Sequence, residues 1–123
     1  MAGQEPPLLR HADELGWHLD IPGAIDASGP GIIEWRIEGT GAAIVRATVI
    51  DRAIRQYAES VWRLRQGLPH RIGAYRTIHR VLGAAADAGA DVTVVALENC
   101  DVADLATRKK HWTALRGTLD GAD

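Results

Sequence analysis

Apolar residues change their spacing several times along this chain, and each change marks a predicted element. From Ile32 to Glu38, the residues Ile33, Trp35 and Ile37 alternate with Glu34, Arg36 and Glu38. Alternation with a period of two predicts a strand with one buried face and one wet face. Ala42 to Val49 is a second segment rich in β-branched residues, and Gly39-Thr40-Gly41 between the two predicts a hairpin. Beyond it the period lengthens. Ile50, Ile54, Tyr57, Val61, Leu64 and Leu68 recur at alternating steps of four and three. That spacing predicts an amphipathic helix over 51–66, capped near Asp51 and ended by Gly67 with Pro69 beyond.

A second helix is predicted over roughly 70–88, with Ile72, Tyr75, Ile78, Leu82 and Ala85 inward and Gly89 closing it. Asp91 to Leu97 is a short apolar run between turn residues and predicts a buried strand. The last helix is expected from about Asp101, with Val102, Leu105, Trp112, Leu115 and Leu119 as its apolar stripe. Asp101 and Asp104 suit its positive end, and Arg108, Lys109, Lys110 and Arg116 its negative end. Upstream, residues 1–5 are expected to be disordered, and Pro6-Pro7 opens a short helix over 6–16. Residues 17–31 are broken by proline and glycine and are given at most one irregular strand. The order predicts one α/β domain over 1–123, with a core over 17–119. It is of the α+β kind, a hairpin-led mixed sheet with helices packed on it.

Composition adds limits. With 123 residues, 46% of them apolar, the chain can bury a core without disulfides or a metal, and Cys100 has no partner cysteine. No apolar stretch is long enough to cross a bilayer, and the first residues lack the pattern of a signal peptide. A cytoplasmic location with no membrane partner is therefore expected. The net charge of -2 conceals a basic middle. Arg52, Arg55, Arg63, Arg65, Arg71, Arg76 and Arg80 stand there against Glu59 alone. Such a segment attracts phosphate or an acidic partner, although arginine also serves as an ordinary solvated helix residue.

Candidate chemistry is sparse. His11, His18, His70, His79 and His111 show no close metal-binding pair, and His70 and His79 fall too far apart on one predicted helix to share an ion. Cys100 enters a helix, where a thiol becomes more acidic, but it lacks a local partner and position 106 is alanine. Gly29-Pro30-Gly31 and Gly39-Thr40-Gly41 read as turns, not phosphate loops. Glu98 ends the predicted strand before Asn99, and Asp20 and Asp26 precede the hairpin. Carboxylates gathered at one sheet end can hold Mg²⁺; alternatively, Glu98 and Asn99 only end a strand and cap a helix.

YRTIHRVLGAAADAGADVTVVALENCDV, from Tyr75 to Val102, resembles the helix–strand–helix centre of type 1 ribonuclease H and reverse-transcriptase-like domains. The resemblance implies a ribonuclease H-like fold with Glu98-Asn99 in the place of the family's Asp-Ser pair. Asp26 to Gly31 is similar to the family's Asp-Gly-Ser and Gly-Pro-Gly turn. The departures weigh against inherited catalysis. Ala74 stands where the family has a metal-binding glutamate, Glu98 replaces an aspartate, and the helix at 51–66 is additional. Two-metal hydrolysis needs several carboxylates around the ions, so the resemblance implies a non-catalytic relative.

Three readings follow. The first is a binding module that contacts nucleic acid, or a nucleic-acid-processing complex, through Arg71, Arg76 and Arg80 with Lys109 and Lys110. The second is a protein–protein interaction module, such as an inhibitor, immunity or assembly subunit, with Trp62 as its anchor and self-association left open. The third is a weak Mg²⁺-dependent nuclease with Asp26 and Glu98 as catalytic candidates. No resident metal or other cofactor is expected; Mg²⁺ enters only with the third.

Overall fold

The computed structural model describes residues 10–119. It is an α/β domain with a four-stranded mixed sheet and helices on both faces. The elements are α1 (Arg10–Glu14), β1 (His18–Asp20), β2 (Gly31–Ile37), β3 (Gly41–Ala47), α2 (Ile50–Arg65), α3 (Thr77–Ala88), β4 (Val92–Asn99) and α4 (Leu105–Arg116). A single 3-10 turn, Val102–Asp104, precedes α4. The expected disorder of residues 1–5 and the first part of the expected helix lie outside the described residues.

The sheet order is β1-β4-β2-β3. The hairpin forms as predicted, with Trp35 opposite Ala43 and Ile37 opposite Gly41. β4 lies antiparallel on the other side of β2, with a bulge between Ile32 and Ile33. β1 is the irregular strand anticipated within 17–31, and it pairs in parallel with β4. Gly31 is required where β2 begins, because a Cβ there would collide with the Glu98 carbonyl.

Strand alternation divides the core into two layers. Ile33, Trp35, Val45, Val94 and Ala96 face α2 and α3, where Ile50, Ile54, Val61, Ile78 and Leu82 complete the main core. Ile32 and Ile44 face the other way and are covered by Leu105 and Trp112 of α4. This corrects the expectation of a wet face on β2: Glu34 is only 1% exposed, because α4 lies over it. The C-terminal stretch then seals the β3 edge, with Leu119 N–H donating to Ala42 O and Ile44 N–H to Thr118 Oγ1.

Boundaries differ where local signals misled. Val49, not Asp51, is the N-cap of α2. α3 begins at Thr77, not near 70, since Gly73 takes φ +69 and Arg76 is extended. Ile72 is therefore not inward-facing but 83% exposed. Val102 and Leu115 are also exposed, because α4 covers a two-stranded strip of sheet and needs only a narrow apolar face. None of the described helices is long and apolar enough to cross a membrane.

Candidate functional site

Chemistry-bearing side chains gather at the connection between α2 and α3. α2 ends with Gln66 and then Gly67 at φ +75, a left-handed turn that glycine adopts without strain. The connection that follows is tied down by its own polar groups. Arg63 donates through Nε and Nη2 to Pro69 O, and the Tyr75 hydroxyl donates to Leu68 O at 2.6 Å. His70 Nδ1 lies 2.6 Å from Ile72 O; a carbonyl only accepts, so Nδ1 carries the proton. Its Nε2 then accepts from Ser60 Oγ at 3.1 Å.

The result is a cleft of about 360 Å³ lined by Tyr57, Glu59, Ser60, His70, Arg71, Arg76 and His79. His79 is 3% exposed and forms part of its wall. Its Nδ1 accepts the Arg76 backbone N–H at 3.0 Å, which leaves Nε2 to hold the ring proton. Burial, followed by the charge of Arg76, the neighbouring His70 and the charge of Arg80, pushes His79 down to about 4, so near neutrality it is an uncharged donor. Arg76 is ordered by the Tyr57 hydroxyl, and its guanidinium lies 5.4 Å from the Tyr57 ring centre. Tyr57 in turn stacks on Trp35 of the core at 4.7 Å. Arg71 pairs with Glu59 at 3.1 Å.

The sequence misplaced this histidine pair. Nine positions along one helix would separate two residues by roughly 13 Å. With α3 starting later, the His70 and His79 rings stand 5.1 Å apart. Gly73 inside the predicted helix was the available sign of that break.

The five basic candidates do not form one surface. Arg71, Arg76 and Arg80 are exposed at the α2–α3 end, on one side of the sheet. Lys109 and Lys110 lie on α4, which covers the opposite face. Trp62 is half-buried and stacks on His11 of α1 at 4.8 Å, so part of its ring is already covered within the chain.

The carboxylate candidates are held apart by separate partners. Asp26 accepts from the Ser28 hydroxyl and N–H, and these bonds hold its carboxyl below the usual range. Its backbone is tied to the Asn99 side chain. Glu98, the preceding strand residue, turns instead towards α4, where Arg108 and Trp112 Nε1 donate to Oε1. Burial raises Glu98, but those two donors outweigh it and leave the carboxyl below its ordinary value. Among the described residues, no three His, Cys, Asp or Glu side chains gather as a metal site requires. Burial, with Glu98 and Asp104 nearby, pushes the Cys100 thiol up, the opposite of an activated nucleophile. A larger hollow of about 590 Å³ under the end of α4 is lined by Glu34, whose oxygens Arg36 and Arg116 already engage.

No family model, curated protein or solved structure matches the chain. The site must therefore be read from its own geometry.

Proposed function

We propose that this chain is a non-catalytic, ribonuclease H-like binding module that contacts nucleic acid through the α2–α3 end of the domain. The observation that carries the reading is that Arg71 and Arg76 line one cleft and Arg80 follows one turn further along α3, all three exposed. Arginines presented this way make phosphate contacts that position a strand and carry little sequence information. The separation of Lys109 and Lys110 onto the α4 side narrows the interface to the arginines. The sequence resemblance and the lost carboxylate at Ala74 favour binding over hydrolysis.

Mobility shift against salt tests it. Arg71→Gln and Arg80→Gln should each flatten the salt dependence by somewhat less than one counterion, about 0.7 to 0.9 in log–log slope. Lys109→Gln and Lys110→Gln should leave the slope unchanged. Absence of binding at low salt ends the proposal.

One observation favours the interaction-module reading instead. Ile72 is 83% exposed and Leu68 39% exposed on the same connection, an apolar tip beside the cleft. A protein partner anchored there would be lost on Ile72→Ser, while nucleic-acid binding would persist.

A further inference from the structure

The cleft holds a donor set more specific than a basic rim. His79 is 3% exposed and lines the cleft, and with Nδ1 accepting the Arg76 N–H its Nε2 holds the ring proton. α3, 12 residues long, begins at the same wall. Its N-cap residue, Arg76, lines the cleft with its side chain, while its backbone N–H is taken by His79 Nδ1. Arg71 stands on the connection and Arg76 at the helix start. Donors therefore approach from the connection, from the helix start and from within the helix.

We propose that this cleft is a site for a terminal phosphate group, a phosphomonoester, with His79 Nε2, Arg71 and Arg76 as its donors. A monoester offers three terminal oxygens, which matches donors on three segments; a carboxylate offers two in one plane. His79 lies at the buried wall, so a ligand group must project inward to reach it. A phosphodiester flanked by sugars on both sides does not project in that way, whereas an end group does. Guanidinium groups bind such anions through charge-assisted, often bidentate, hydrogen bonds. Glu59 opposes the site, because it engages Arg71 and places a negative charge in the same cleft. The lowered proton affinity of His79, caused first by burial and then by Arg76, His70 and Arg80, is consistent with an electropositive pocket.

The phosphate can belong to a small ester or to the end of a nucleic-acid strand. The site goes beyond the binding reading above and does not require it. The test follows His79 by imidazole-detected NMR on the full chain, with inorganic phosphate as the probe. Phosphate should raise the pH at which His79 titrates. Glu59→Gln should tighten phosphate binding severalfold, a gain that a folding defect cannot produce. His79→Gln should weaken it about tenfold, and Arg71→Gln should also weaken it. A 5′-phosphorylated oligonucleotide should displace phosphate at a lower concentration than its 5′-hydroxyl counterpart, which reaches only the rim arginines. If phosphate moves His79 but neither strand displaces it, the site stands for a small ester and the nucleic-acid reading falls. If both strands bind while His79 stays unmoved by phosphate, the rim binds and the site is overturned. It is equally overturned if Glu59→Gln loosens phosphate.

Discussion

Arg116, near the end of the chain, donates through Nε to Oε2 of Glu34 at 2.6 Å, joining the end of α4 to the centre of the sheet. Arg36 takes the other oxygen, so a carboxylate that is 1% exposed is matched by two cations. Burial alone would raise Glu34, but the bonds and charges of Arg116 and Arg36 hold it below its ordinary value. Removing one partner of a buried pair leaves the other uncompensated.

Glu34→Ala should therefore destabilise the fold by about 3 kcal/mol and loosen α4 from the sheet. Arg116→Ala should cost less, since Arg36 still engages Glu34. Urea denaturation of both variants checks the order; an equal or inverted ranking means that the carboxylate is not the anchor.

Acid should unfold the domain in two stages. The folded chain protonates His79 at about 4, while the unfolded chain does so near 6.5. Its contribution is complete above 6.5 and is lost as pH falls towards 4, about 3 kcal/mol in all. Glu34 and Glu98, both lowered from 4.5, contribute fully above that value and lose their effect as pH falls through their folded values. Denaturant midpoints against pH should show the first stage shrinking in His79→Gln and the second persisting. A first stage of equal size in both chains would falsify the assignment to His79.

Two glycines should respond in opposite directions. Alanine at Gly31 drives a methyl into the Glu98 carbonyl and Ile50 Cδ1, and should cost about 2 kcal/mol or more. Gly83 lies inside α3, where an added Cβ meets Leu64 Cδ2 at 3.4 Å. Alanine there should gain roughly 0.5 kcal/mol from reduced unfolded-state freedom and better helix propensity. Calorimetric melting temperatures that move the same way in both variants would contradict this account.

Trp62 should behave as the seat of α1. Trp62→Ala should speed amide exchange at Leu15 and Trp17, whose N–H groups bond His11 O and Ala12 O. Light scattering should show an unchanged mass. A drop in mass would instead make Trp62 an interface residue.

Much of the scaffold was legible along the chain. The alternation at Ile33, Trp35 and Ile37, the Gly39–Gly41 turn and the helical spacing from Ile50 to Val61 are local patterns, and each produced its element. The candidate site was legible only in its arginines. The His70–His79 approach depends on where α3 starts, and that rests on the left-handed turn at Gly73 and the bond from Arg76 N–H to His79. The buried state of Glu34 depends on α4, which lies 70 or more positions away in sequence.

The sequence by itself determined the elements, the hairpin and the basic character of the middle segment, because these depend on spacing and on neighbours. Only the tertiary structure decided which polar residues share an environment. It covered the second face of the sheet with α4, put the lysines across the sheet from the arginines, and turned two distant histidines into the walls of one cleft. Packing sets distances between side chains that no periodicity encodes, and chemistry follows those distances.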